Sequence, residues 1–296
     1  MNASEAVSSA DKPDLRRLLT HEFADVEQEY SERDTIFYAL SIGLGGEPTN
    51  EGALRYVYED GLRVFPTFPT VLCHPGPWME DPRFGYNRRL SVQGAQRIEW
   101  HKPLPSSGRL VAKHRTLGLV DKGPGRGSLV HVQRQIFEKG STQPSVTLIH
   151  TSFARGNGGF GGSNEPVIAF PEIPQRPCDA AVDMKTHPSQ ALYFRLNGDY
   201  NPLHANPATA RAAGFDRPIL HGLCSFGIAG HALMELRRDY DGDAIASLEC
   251  RFSAPVYPGE ALSFEFWSES GGVLFRATAK ERGLTLLDNG RAAFRP

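Results

Sequence analysis

Asp199 and His204 are the residues of this chain whose types and spacing best suit catalysis. They lie in the run Asn-Gly-Asp-Tyr-Asn-Pro-Leu-His at 197–204. Residues five apart do not share a helix face, but glycine and proline bend the backbone, so the two side chains can converge from a loop. A carboxylate beside a neutral imidazole can hold a water molecule and move its protons. The run therefore predicts hydration or dehydration chemistry.

Three further residues complete the candidate site. Asn201 can hydrogen-bond the water or pin the loop, although Asn-Pro is also simply a good turn. Gly222 lies at the start of a predicted helix, where free N–H groups and partial positive charge suit an oxygen that becomes negative in a transition state. Ser225, one turn into that helix, is placed to hydrogen-bond either Asp199 or the helix itself.

The composition is that of an ordinary globular protein. The chain has 296 residues, of which 40% are apolar and 22% charged, and a formal net charge of −2. That charge argues against nucleic-acid binding, and no apolar stretch reaches the roughly 18 residues of a membrane span. Because we find neither a secretion signal nor a Ser-Lys-Leu type peroxisomal tail, we predict a cytoplasmic location. The four scattered cysteines predict free thiols, and the ten histidines form no metal-binding pattern, so no metal is predicted.

A change in composition divides the chain. Residues 156–162 are mostly glycine, and several prolines follow them. Such a segment is typical of a linker that is first flexible and then extended. We therefore predict one unit at 1–160, a linker at 161–180 and a second unit at 181–296. Residues 1–25 are polar and are expected to be a loosely held lead-in.

Each predicted unit consists of one apolar helix followed by antiparallel strands. Asp34 is expected to cap the first helix, and the second is expected at 221–236 with its apolar side chains on one face. The predicted strands, from their alternation of apolar and polar residues, are 108–119, 127–138, 145–154, 245–255, 260–268 and 273–281. A helix wrapped by a curved antiparallel sheet fits both halves, so the predicted fold class is α+β, with two such units in tandem.

Two longer segments resemble the MaoC-like, R-specific 2-enoyl-CoA hydratases. They are residues 195–207, around Asp199 and His204, and 214–225, which reach the second helix. The first half is similar to the two-domain members called hydratase 2, and the likeness spans roughly 27–296. The matching segments of the first half are 30–34, 66–68, 102–105 and 121–123. One departure bears on acyl-chain preference, since this chain has Gln-Gly-Ala-Gln at 93–96 where family members often have His-Gly-Glu-Gln.

The resemblance implies a double hot dog fold and a hydro-lyase. The C-terminal unit would carry the catalytic residues, and the non-catalytic N-terminal unit would accommodate longer acyl chains. The implied reaction, in fatty-acyl metabolism, is the reversible hydration of trans-2-enoyl-CoA to (R)-3-hydroxyacyl-CoA. Asp199 would be the principal base, His204 would help to hold the water and relay a proton, and Gly222 would face the thioester oxygen. CoA is then part of the substrate, no cofactor is expected, and the expected assembly is a homodimer.

Other functions remain open on the same scaffold. One is dehydration of 3-hydroxyacyl groups on carrier protein instead of CoA. Another is a hot dog acyl-CoA thioesterase, which would direct the held water at the carbonyl carbon; the Asn-Pro-Leu-His completion after Asp199 favours the hydratase. The third is a non-catalytic acyl-binding subunit, which the presence of both the acid and the imidazole disfavours.

Overall fold

The computed structural model describes residues 13–295, apart from the side chain of Arg89. Its strands are β1 (Val26–Tyr30), β2 (Ser91–Trp100), β3 (Gly108–Asp121), β4 (Ser128–Glu138), β5 (Val146–Ala154), β6 (Ala180–Lys185), β7 (Ile245–Phe252), β8 (Ala261–Glu269), β9 (Gly272–Ala279) and β10 (Leu284–Phe294). Its α-helices are α1 (Glu32–Ser41), α2 (Glu51–Leu54), α3 (Gln190–Phe194), α4 (Pro207–Ala212) and α5 (Gly222–Arg237). Within this range, none of the helices has the length and apolarity needed to cross a membrane.

All ten strands belong to one antiparallel sheet with two equivalent halves. The order is β1-β3-β4-β5-β2 and then β7-β10-β9-β8-β6. In each half the first strand lies at the outer edge and the second at the centre, with the third to fifth between them. The identical order confirms the predicted double hot dog and the tandem repeat inferred from the order of the elements.

The halves are joined along β2 and β7. Residues 95–99 of β2 pair with residues 247–251 of β7. Arg97 stands opposite Glu249 in this register, and the two side chains form an ion pair in which Glu249 is only 7% exposed. A carboxylate buried to this extent needs its counter-charge, so the ion pair supports this register of the joint.

The helix α5 is the centre of the second half. Every residue from Cys224 to Met234 is buried, so α5 is enclosed around its whole circumference. The predicted apolar face does pack in the core, but the pattern missed that the other faces are buried as well, because the sheet and the other half of the molecule surround the helix. At Gly227, an added Cβ would lie 2.6 Å from Ile42, so the first half packs directly against this helix.

The helix of the first half is shorter than α5 and begins earlier than predicted. Ser31 is the N-cap of α1, and Asp34 is the third residue of a capping box: its carboxylate accepts from the Ser31 backbone N–H at 2.8 Å. Asp34 is therefore not the N-cap itself, as was predicted, but it takes part in capping the helix as the partner of Ser31.

The lead-in is better ordered than its composition suggested. Residues 1–12 lie outside the described part of the chain. The following segment Leu15–Thr20 is a 3-10 helix, capped by Asp14, that buries Leu15 and Leu18. These two leucines pack with Phe84, Val130 and other apolar residues in a small core of the first half. The expectation of a loose segment up to residue 25 was wrong for this part, since two buried leucines hold it in place.

The burial of His131 leads us to predict that the folded protein loses stability in acid. It is 3% exposed on β4, and burial lowers its pKa from 6.5 to about 4. Between those values the unfolded chain binds the proton and the folded chain does not. The free energy of unfolding therefore falls as the pH drops through this window, by on the order of 3 kcal/mol from this group. Urea unfolding should be measured at both ends of this pH window. Between them, the free energy of unfolding should fall less for His131→Asn than for the parent. The exposed His187→Asn is the control, and equal losses for all three proteins would contradict the prediction.

Candidate active site

The loop that carries Asp199 is shaped by short local hydrogen bonds. A 3-10 turn, Arg195–Asn197, ends at Gly198, whose φ of +111° lies in the left-handed region that favours glycine. The Asp199 carboxylate accepts from the backbone N–H of Asn201 at 3.1 Å. Asn197 in turn donates to the Ser41 hydroxyl of α1 at 2.9 Å. The first half of the molecule thus helps to hold the loop.

Asn201 shapes the next turn. Its side-chain oxygen accepts from the Leu203 backbone N–H at 3.1 Å, and it is the N-cap of the 3-10 helix Pro202–His204. The proline supplies a fixed φ and needs no N–H partner at this position. Of the two roles considered for Asn201, the structure shows the one in which it pins the loop.

His204 ends this turn and is held in one tautomer. The residue is 8% exposed, and Nδ1 lies 2.9 Å from the carbonyl oxygen of Ile219. A carbonyl oxygen only accepts, so Nδ1 carries the hydrogen and Nε2 of the neutral ring keeps its lone pair. Burial lowers the pKa of His204, although the Ile219 contact and Asp199 oppose the shift. The neutral ring therefore offers Nε2 as a proton acceptor at neutral pH.

His221 is also part of the site, which sequence reasoning missed. Its ring stacks on that of His204, with centroids 3.6 Å apart and an interplanar angle of 27°. Nε2 lies 3.2 Å from the backbone oxygen of Asp199 and so donates to it. Burial and the neighbouring His204 lower the pKa of His221. Its position directly before Gly222, at the predicted helix start, was the signal that could have found it.

The three side chains converge at one point. One carboxylate oxygen of Asp199 and one ring nitrogen each of His204 and His221 all lie within 4.8 Å of one another. The two histidines are buried, whereas Asp199 is exposed. An acid at the solvent edge therefore faces a neutral imidazole beneath it, and a water molecule can bridge groups at such a separation.

The start of α5 closes the site on another side. His221 is the N-cap, so Gly222 is the first residue of the helix. A Cβ added to Gly222 would lie 2.5 Å from the side-chain oxygen of Gln93, which comes from β2 of the first half. Gly222 thus permits a close approach to the helix end, where the first N–H groups have no partner inside the helix. From the sequence, Gln93 was known only as part of a segment that differs from that of family members. Its contact with Gly222 was not predicted.

Ser225 bonds within its own helix. Its hydroxyl lies 3.4 Å from the carbonyl oxygen of His221 and donates to it. The sequence left two partners open, Asp199 and the helix itself, and the structure shows the second. Because that carbonyl belongs to His221, Ser225 acts on the N-cap residue and does not reach the acid.

A double hot dog with an acid and an imidazole beside its long central helix defines a class, the hot dog hydratases and dehydratases. Residues 169–289 match the family described as "MaoC like domain", and residues 28–156 match "MFE-2 hydratase 2 N-terminal domain". The chain belongs to this family of two-domain MaoC-like hydratases, as the resemblance predicted.

Three similar proteins support the assignment. "Enoyl-CoA hydratase 2, peroxisomal" of Arabidopsis thaliana is 37% identical over 91% of this chain and 92% of its own length. "3-hydroxyacyl-thioester dehydratase Y" of Mycobacterium tuberculosis is 37% identical over 84% of this chain and 86% of its own. The crystal structure of a MaoC-like dehydratase from Phytophthora capsici superposes with a TM-score of 0.82, at 34% identity, and covers 95% of this chain and 99% of that one. The two family matches leave residues 157–168 unmatched between them, and the division into units with a linker at 161–180 stays a prediction.

Proposed function

We propose that this protein catalyses the reversible hydration of trans-2-enoyl-CoA to (R)-3-hydroxyacyl-CoA in fatty-acyl metabolism. The observation that carries the proposal is the convergence of the Asp199 carboxylate and the neutral His204 ring at the start of α5. The relatives named enoyl-CoA hydratase 2 and 3-hydroxyacyl-thioester dehydratase support it. The (R) outcome rests on family membership.

The geometry supports a specific division of roles. A water held between Asp199 and Nε2 of His204 loses a proton to Asp199 as its oxygen bonds to C3 of the enoyl group. The proton taken up by Asp199 then passes through Nε2 of His204 to C2, which returns Asp199 to the carboxylate and His204 to the neutral ring. Charge that develops on the thioester oxygen is stabilised by the N–H of Gly222 at the positive end of α5. Asn201, His221 and Ser225 position these groups through the contacts described above.

Crotonyl-CoA distinguishes this function from the alternatives. Incubation with the purified protein should lower the enone absorbance without releasing free thiol. Released thiol would instead show a thioesterase, and absence of both changes would contradict an enzyme of either kind. The same acyl group on carrier protein is the comparison that tests the carrier preference, and we expect CoA to be the better substrate.

No cofactor or metal is required in this proposal. Asp199, His204 and His221 are close enough to be metal ligands, and the contact of Nδ1 of His204 leaves Nε2 available to a metal as well as to water. The chemistry proposed here needs only proton transfer. Hydration of crotonyl-CoA should therefore be unchanged after dialysis against a chelator. A loss that added zinc, manganese or iron(II) restores would show that the three groups bind a metal.

The assembly and the location are further proposals. We propose a homodimer, because family members are expected to cover a remaining sheet surface with a second copy; light scattering of the purified protein tests this. The cytoplasmic location inferred from the sequence stays a prediction, and the Arabidopsis relative is named as peroxisomal. Fluorescence microscopy of the chain with a tag at its N-terminus distinguishes the two compartments.

A further inference from the structure

The three side chains that converge at the catalytic point also form a set of metal ligands. One carboxylate oxygen of Asp199 and one ring nitrogen each of His204 and His221 lie within 4.8 Å of one another. In catalytic zinc sites three such ligands hold the ion, each at about 2.0–2.2 Å, and a fourth position stays open to water. Tetrahedral ligand atoms are then about 3.4 Å apart, so these three groups need to close by at most about 1.4 Å. A small movement therefore forms a zinc site here.

His204 has the second contact that is usual for a metal-binding histidine. In such residues the ring nitrogen away from the metal donates to a carboxylate or a backbone carbonyl, which fixes the tautomer and the orientation of the ring. Nδ1 of His204 lies 2.9 Å from the carbonyl oxygen of Ile219 and donates to it. Nε2 is therefore unprotonated, and it can bind a metal without a change of tautomer.

His221 must change its tautomer to bind through Nε2, and its surroundings allow this. Nε2 now donates to the backbone oxygen of Asp199 over 3.2 Å, and Nδ1 is buried without a hydrogen-bond partner in the described part of the chain. When Nε2 binds the ion, the proton moves to Nδ1, so one unpaired buried atom is exchanged for another. The stacked rings of His204 and His221 must also turn slightly to face one ion. These costs predict moderate affinity.

Asp199 gives the site its negative charge and its access to solvent. It is exposed, whereas the two histidines are buried, so an ion reaches the rings past the carboxylate. Arg195 is the cation that acts on His221, and its charge opposes the binding of metal ions. One carboxylate and two neutral imidazoles suit zinc, which accepts nitrogen ligands. Magnesium and calcium need several oxygen ligands and are expected to bind poorly.

We propose that zinc binds reversibly to Asp199, His204 and His221 in the substrate-free protein and inhibits it. The ion takes the place of the catalytic water and occupies both the carboxylate and the Nε2 lone pair of His204. Neither group can then accept or relay a proton. Zinc is thus an inhibitor of this protein and not its cofactor. The inhibition rests on the proposed function, whereas the binding rests on the positions of the three ligands.

Cobalt(II) tests the binding without turnover, because it occupies zinc sites and absorbs visible light there. After dialysis against a chelator, the parent should bind cobalt with a visible absorption band and a Kd on the order of 10 µM. Asp199→Asn, His204→Gln and His221→Phe should each weaken this binding at least about tenfold, since each removes one of three ligands. The exposed Asp183→Asn and the partly exposed Cys178→Ser are the controls and should bind cobalt as the parent does. Circular dichroism verifies that each variant is folded.

Hydration of crotonyl-CoA tests the inhibition. Zinc added to the metal-free parent should halve the rate at a free concentration on the order of 1–10 µM. A higher substrate concentration should raise this value, a chelator should restore the rate, and millimolar magnesium should have no effect. His221→Phe is expected to keep measurable activity, and its half-inhibitory zinc concentration should be at least about tenfold higher.

Three results would overturn the inference. One is a parent protein that gives no cobalt band. Another is equal inhibition of the parent and His221→Phe by zinc, which would place the inhibitory ion elsewhere. The third is a faster rate with zinc than without it, which would make the ion a cofactor. If the metal-free parent does not hydrate crotonyl-CoA at all, the proposed function fails, whereas cobalt binding still decides whether the three groups form a metal site.

Discussion

Asp199→Asn and His204→Gln are each expected to lower kcat for crotonyl-CoA hydration by about 10²–10⁴, the usual contribution of a positioned acid–base group. Asparagine keeps the size of Asp199 and its hydrogen bond from the Asn201 N–H, but it cannot accept a proton from water. Glutamine at position 204 likewise removes the basic Nε2 that the Ile219 contact leaves free. Because each change removes proton transfer and little binding, KM should change much less than kcat.

Controls for this pair exist in the same half of the chain. Asp183 and His187 are exposed and lie outside the site, so Asp183→Asn and His187→Gln should keep the parent rate. The double variant of Asp199 and His204 should be little worse than either single variant, since the two groups act on one water. If both single variants retained activity within tenfold of the parent, the assignment of the site would be wrong.

His221→Phe is expected to lower kcat by about 10–10². Phenylalanine can keep the stacking against His204, but it cannot donate to the backbone oxygen of Asp199, 3.2 Å away in the parent. That contact fixes Asp199 relative to the His204 ring, and small displacements of catalytic groups lower the rate strongly. Steady-state kinetics should show the loss in kcat with little change in KM.

A structural role and a catalytic role of His221 give different results. His221→Phe should keep the parent dependence of kcat on pH, because His204 and Asp199 still perform the chemistry. A variant as active as the parent would show that the contact to Asp199 has no role. A loss as large as that of His204→Gln, with a changed pH profile, would show that His221 itself transfers a proton.

Much of the second half could be predicted from local sequence. Asn206 caps α4 and Pro207 begins it. Such a helix start can be recognised in a sequence because caps and first-turn prolines act over a few residues. The strands β8 and β9 also lie within two residues of their predicted bounds, since alternation marks half-buried strands. The Asp199–His204 run could be recognised for the same reason: glycine and proline determine a loop locally.

The missed features depend on residues distant in sequence. The strands β1, β2, β6 and β10 were not predicted. The edge strands β1 and β6 are short, β2 and β10 contain register shifts, and all four gain their partners from the sheet. The sequence gives no sign that Gln93 reaches Gly222 or that His221 stacks on His204, since these contacts follow from packing the two halves together. A single helix or strand pattern carries no such information.

The joint between β2 and β7 has a consequence for anyone who wishes to produce the catalytic half by itself. A fragment that begins after the glycine-rich segment would expose the whole backbone edge of β7, and Glu249 would lose the counter-charge of Arg97. Open strand edges promote self-association, so such a fragment should aggregate or form new pairs between its own copies. Shortening this enzyme for biotechnology would therefore require a substitute strand to be designed into the fragment.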